Sequence, residues 1–400
     1  MRKALIVLSV VMLLVTLNFG ATKITVWAMG EEAKSLDQLA KLFMEEYPEY
    51  EVDIQAIPWA NAYDKILTGI AGRQVPDVAQ MGTTWMAPFG SMGAFEDLAP
   101  YIESSEVVKP ENFFQGALET GIVDGKQFGI PWYVDTRAMY YRTDLLAEVG
   151  YDQAPQNWDE LYDAVKKLVE NGSRYGITLY QPQDNYQVLL PFVWQNGGDI
   201  LDSEGNVIVD QPEFVEAFEY YTRFFTEGLT PIAGGGNLFQ DFASGDTPIF
   251  FSGPWMVSMI SAQTPQIDGK WDVALMPEKK SRTSFMGGSD LVIFRDSKNK
   301  EAAWKFIEFL SRPDIQVKWY QIVNALPSVP KAWEDPVLQA DPMIATFGEQ
   351  LNDAKAPINI PEFQEISVSI DNMVQEAIYG RKTPVQAAKN LKKDIEKILK

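Results

Sequence analysis

Residues 124–163 read DGKQFGIPWYVDTRAMYYRTDLLAEVGYDQAPQNWDELYD, and the order of residue types in this stretch decides the fold. Asp124-Gly125 is a turn pair that leads into an extended apolar run ended by Pro131. The aromatic pair Trp132 and Tyr133 follows, then an acid and a base at Asp135 and Arg137. A second strand is predicted over 138–141, after which Thr143 opens a short helix. Rings and a carboxylate at the junction of two extended segments suit a cleft between two bodies. Stacking faces and planar acceptors are what a neutral, hydroxyl-rich ligand requires.

Outward from this stretch the chain alternates strand-like and helix-like segments, the pattern of layered α/β proteins. Residues 23–28 (KITVWA) and 51–57 read as strands, the latter from the alternation of Val52, Ile54 and Ala56. Residues 78–81 form a third strand after Pro76-Asp77. Leu36, Leu39, Ala40 and Phe43 recur at helical spacing over 34–46. Asn157 stands three residues before Glu160, a capping arrangement for the helix bearing Leu161, Val165 and Leu168. Asp210 with Pro212, and Thr383 with Pro384, open two further amphipathic helices. No linker rich in Pro, Gly or Ser divides the chain, and no internal repeat is evident.

The length, 400 residues, suffices for two domains with substantial cores. The first 21 residues have Arg2 and Lys3 followed by an unbroken apolar run over 4–15, the layout of a secretory signal. No later segment has the apolar length of a membrane span. The formal charge of −21 repels nucleic acid and anionic lipid. Cysteine and histidine are both absent. The first absence rules out disulfides and thiol-linked lipid anchoring. The second removes imidazole bases, Ser-His-Asp triads and most zinc sites, so a carboxylate pair is the common hydrolytic chemistry left. No cofactor or metal pattern is found: Gly234-Gly235-Gly236 lacks the Lys-Ser/Thr of a phosphate loop, and no calcium loop appears.

Several segments, taken in order, carry a resemblance. They are KITVWAMGE, GRQVPDVAQMGTTWMAPFGSMGAFEDL, GKQFGIP with Asp135, AMYYRTDLL and PQNWDEL, FASGDTPIFFSGPWMVSMI, SFMGGSDLVIF, and PINIPEF with YGRKTPVQAA. Together they resemble the family 1, maltose-binding-like extracellular solute-binding proteins, the sugar receptors of ABC importers. The resemblance implies an α/β, two-lobed periplasmic-binding-protein-like fold, class II or Venus-flytrap, with three interlobe crossings near 133–136, 276–283 and 327–331. It implies lobe one from 22–133 with 282–328, and lobe two from 134–281 with 329–400. It also implies an exported, monomeric, non-catalytic receptor that hands a mono- to trisaccharide to the permease subunits of an ABC transporter. The expected ligand is gluco-configured: trehalose, maltose or glucose.

Trp255 follows Gly253-Pro254 after an apolar strand and opens a helix at that strand's C-terminal end, where ligands gather in open α/β sheets. In the similar proteins the matching tryptophan stacks on a sugar ring. Asp135 matches an acid that accepts sugar hydroxyls there; its bland alternative is an ion pair with Arg137. Tyr133 and Trp132 either stack or pack the hinge. Glu31 lies just past the first strand, where relatives carry an acid. Thr84 and Trp85 follow the third strand, Thr84 replacing an acid of maltose-binding proteins. Gln80 and Trp59 are secondary candidates. Gly287 and Gly288 let backbone approach a ligand or simply make a turn. Trp194, before Gln195-Asn196-Gly197-Gly198, is expected to line the cleft from below. Phe363 and Ser367 occupy a segment where relatives place a tryptophan platform. Trp27, Trp271, Trp304 and Trp319 are assigned to the core, and Trp158 to packing at a helix start. The enzymatic rival is a secreted glycoside hydrolase with a carboxylate pair; a third reading is the same fold binding a polyol, a peptide or an anion.

Overall fold

The structure is a computed structural model, which describes residues 21–179, 184–232 and 236–400. The expected signal segment, apart from Ala21, lies outside the described residues. The strands are β1 (Thr22–Met29), β2 (Tyr50–Ile57), β3 (Val78–Gly82), β4 (Ile122–Val123), β5 (Lys126–Gln127) and β6 (Gly129–Thr136). They continue as β7 (Ala138–Arg142), β8 (Ile249–Ser252), β9 (Trp271–Ala274), β10 (Ser284–Ile293), β11 (Leu326–Pro327) and β12 (Ala354–Lys355). The main sheet runs β11-β6-β10-β3-β1-β2, with β12 added to β10; a second sheet runs β8-β7-β9. β1 pairs in parallel with β2 and β3, whereas β10 lies antiparallel between β3 and β6.

The molecule therefore has two lobes, one around each sheet. The chain leaves the main sheet between Thr136 and Ala138, returns between Ala274 and Ser284, and leaves again after Pro327. These are the three expected crossings. Residues 354–359 then come back to the first lobe: β12 pairs with Ser284 and Phe285, and Asn359 Nδ2 donates to the carbonyls of Thr120 and Ile122 (2.9 and 2.8 Å).

Local sequence explains the elements. Asn157 caps the helix Trp158–Glu170 by accepting from the amide of Glu160 (3.0 Å), and Thr383 with Gln386 forms a reciprocal capping box before Pro384–Ile398. Asp210 does not cap its helix, because Gln211 holds that place and the Asp210 carboxylate pairs with Lys392. The first helix starts at Gly30, not 34, because Gly30 takes φ +66° and turns the chain at once after β1. Trp132 stacks on Trp319 (centroids 4.9 Å apart) beneath the main sheet, and Trp304 is buried beside them in the same core. Trp158 stacks on Tyr220 in the second lobe (4.2 Å), and Trp271 is buried. Trp27 is only partly buried, against the edge of a first-lobe core.

Candidate functional site

A cleft of about 810 Å³ lies where the two sheets meet. Its first-lobe wall is aromatic. β3 ends at Gly82, and a short 3₁₀ turn, Thr83–Trp85, swings Trp85 between Trp59 and Tyr63. The ring centroids are 5.4 and 5.5 Å apart with edge-to-face tilts, so each ring fixes the next. Trp59 is still 38% exposed. Thr84 lines the cleft beside Trp85.

The opposite wall begins at Trp255, also 38% exposed at the start of the helix Trp255–Gln263. Its ring folds back over Gly253, where an added Cβ would sit 2.1 Å from ring carbon Cζ3, so Gly253 is required. The Arg137 guanidinium lies 5.0 Å from the Trp255 centroid and equally far from that of Phe285.

The floor is the β6/β10 junction. Arg137 is buried; it donates to Asp135 Oδ1 (2.7 Å) and to Gln187 Oε1 (2.6 Å). The ion pair and the cleft position of Asp135 thus coexist, since Asp135 also lines the cavity. Gly287 and Gly288 line it too, but their primary reason is packing. A Cβ on Gly288 would come within 2.2 Å of the Tyr133 carbonyl, and one on Gly287 within 2.9 Å of Asp135 Oδ1. Tyr133 Oη accepts from Gln80 Nε2 and from Ser289 Oγ, both at 3.0 Å. Burial first, and then the Glu32 charge, hold this phenol well above its ordinary value, so it keeps its proton.

Two of the expected site residues, Gln80 and Trp194, stand elsewhere. Gln80 is fully buried behind the wall: it accepts from the Met29 amide and donates to Tyr133 and Ser289, which positions Tyr133 and leaves no face for a ligand. Trp194 is buried within the helix Tyr186–Gln195, its Nε1 donating to Asp199 (3.2 Å), and it does not line the cleft. The Glu31 side chain lies outside what is described; its neighbour Glu32 lines the cavity. Phe363 packs into the core against Tyr186 (5.1 Å, edge-on), and Gln364 is the residue of that segment that reaches the cleft.

The sequence reading also missed Tyr63, Asp184, Tyr186, Gln187 and Asn324. Asp184 and Asn324 both adopt left-handed backbone (φ +59° and +57°), a conformation Asp and Asn tolerate. Asp184 Oδ atoms have no described hydrogen-bond donor. Burial, and then the Asp371 charge, raise its carboxyl above the usual range. Among the described residues no cluster of metal-ligating side chains is present, and no helix is long and apolar enough to cross a membrane.

Stacking rings on both walls, with carboxylates, a guanidinium, amides and a phenol between them, form a surface for holding a polyhydroxylated ring from two sides. The family model described as bacterial extracellular solute-binding protein matches residues 29–317. The sugar-binding protein MalE of Xanthomonas citri is 32% identical, with 94% of this chain and 97% of that one covered and a TM-score of 0.89. Maltose-bound MalE3 of T. maritima is 29% identical, with 94% and 99% covered and a TM-score of 0.81. An arabinooligosaccharide-binding protein of Halalkalibacterium halodurans is 24% identical over 94% of this chain and 89% of its own.

Proposed function

The chain belongs to the bacterial extracellular solute-binding proteins, and from that premise we propose that it is the sugar receptor of an ABC importer. Ligand would enter the cleft between the lobes, stack on Trp255 and on the Trp59–Trp85 wall, and place its hydroxyls against Asp135, Glu32 and Asp184. The observation that carries this reading is the pairing of half-exposed tryptophans, one from each lobe, across a single cleft. A ligand touching both walls favours the closed form by its differential affinity for it, and that form is the one a permease would engage. Within the class, a mono- to trisaccharide such as glucose, trehalose or maltose is our proposal, as is the lobe division at 133/134, 281/282 and 328/329. The matched sugar-binding proteins support binding without turnover over a glycoside hydrolase.

Thermal shift against a panel of neutral mono- and oligosaccharides tests the reading, since bound ligand raises apparent stability by mass action. The best ligand, incubated with the protein and followed by chromatography, should be recovered intact. Steady conversion to smaller sugars would refute a receptor, and a panel without any stabilising sugar would refute a sugar site.

A further inference from the structure

A second chamber of about 270 Å³ adjoins the cleft, and Thr83 and Thr84 line both. It lies between the helix Gln115–Thr120 and residues 354–359, and Trp255 does not line it. Pro357 and Ile358 give it an apolar face; Thr84, Glu119 and Asn359 give it polar groups. Asn359 ties the two sides of the chamber together. Its Nδ2 spends both hydrogens on the Thr120 and Ile122 carbonyls, which fixes the amide's orientation. Its Oδ1 is buried, and no described residue donates to it. That acceptor is covered by the protein itself, so the polar groups the chamber offers a ligand are those of Thr84, Glu119 and the accessible part of Asn359.

We infer that this chamber is an additional saccharide subsite, with room for one ring and not for two. It rests on the receptor reading above and narrows it. The preferred ligand is an oligosaccharide that continues past Thr84, with its end ring against Ile358 and its hydroxyls among Thr84, Glu119 and Asn359. Thr84, which lines both spaces, is the side chain the ligand passes, and a small residue there keeps the way open.

The test uses two homologous ladders, α-1,4-gluco- and α-1,5-arabino-oligosaccharides from the mono- to the pentasaccharide, titrated calorimetrically into the full mature chain. In one ladder the affinity should step up about tenfold on adding the ring that reaches the chamber. Ala356→Trp and Glu119→Trp fill the chamber from opposite walls. Each should erase that step to within about twofold, leaving the shorter sugar's Kd unchanged, which also reports that the variant is folded. Hydrogen exchange on the unmutated protein gives the same answer independently: amides of residues 354–359 should slow with the longer sugar and not with the shorter. Affinity indifferent to length, or a step surviving both fillers, overturns the subsite while leaving the receptor standing. Failure of every sugar to bind overturns both.

Discussion

Replacing Trp255 by alanine probes the two-walled site directly. A tryptophan 38% exposed offers a ligand roughly 95 Å² of surface, taking its full side chain as about 250 Å². At about 25 cal/mol per Å² a ligand covering all of it gains about 2.4 kcal/mol, and one covering half about 1.2 kcal/mol. Kd should therefore rise by about 8-fold to 60-fold. The fold should lose little, because the ring is 38% exposed and its cation–π contact with the Arg137 guanidinium, at 5.0 Å, is worth about 1 kcal/mol or less. Calorimetry with the best panel sugar, beside a melting curve, reads both quantities. Trp255→Phe keeps a planar face and should recover most of the affinity. A Kd within about twofold of the parent, in a variant that melts normally, would refute the stacking role.

Three further outcomes follow from the geometry. Gly288→Ala drives a Cβ to 2.2 Å from the Tyr133 carbonyl, backbone that cannot yield, so denaturant unfolding should show a loss of about 3 kcal/mol or more; wild-type stability would refute the close strand pairing. Asp290 is fully buried in β10 with one donor, Thr120 Oγ1, and burial pushes its carboxyl up to about 7. Because the folded state holds this proton longer than the unfolded one, the contribution is fully present below about pH 4. It fades as pH rises to about 7, by about 4 kcal/mol in all. Asp290→Asn should flatten that slope relative to the parent, and parallel pH–stability curves would contradict the assignment. Asp135→Ala strips buried Arg137 of its anionic partner and should cost about 3 kcal/mol. It should also weaken the sugar-induced fall in radius of gyration seen by small-angle scattering; normal stability and normal compaction would remove Asp135 from the site.

The elements were readable where the signals are local. The alternation of Val52, Ile54 and Ala56, the Asn157 cap and the Thr383 box need only neighbours within a few residues, and they appear as expected. The two-lobed arrangement was legible through the ordered segments of the family resemblance, since no periodicity marks where a chain changes sheets. The site was legible in part. Trp255 announced itself by Gly253-Pro254 at a strand end, and Trp85 by its position after β3. Gln80 could not be placed, because its partners Tyr133 and Ser289 lie 53 and 209 residues away and meet it only when β3, β6 and β10 assemble. Glu32 was not singled out in the sequence, and it lines the cleft on a helix that begins at Gly30, four residues earlier than expected. Trp194 looked like a loop residue beside two glycines, yet it belongs to the end of an apolar helix and finds its donor's partner in Asp199.

The β6 and β10 strands reach the crossing side by side, in antiparallel register from Thr136↔Met286 to Gly288↔Val134. Beyond the register, Thr136 Oγ1 donates to the Phe285 carbonyl and Ser284 Oγ to that of Arg137. With β11 paired to β6 and β12 to β10 as well, the junction is a ribbon of paired plies and not a set of independent threads. Such a ribbon behaves as a leaf spring: stretching or sliding one ply against the other loads several hydrogen bonds at once, whereas bending across its thin direction loads none of them fully. Such a spring would channel any relative motion of the lobes into one soft rotation, along which the rings on the two walls would approach on a repeatable arc.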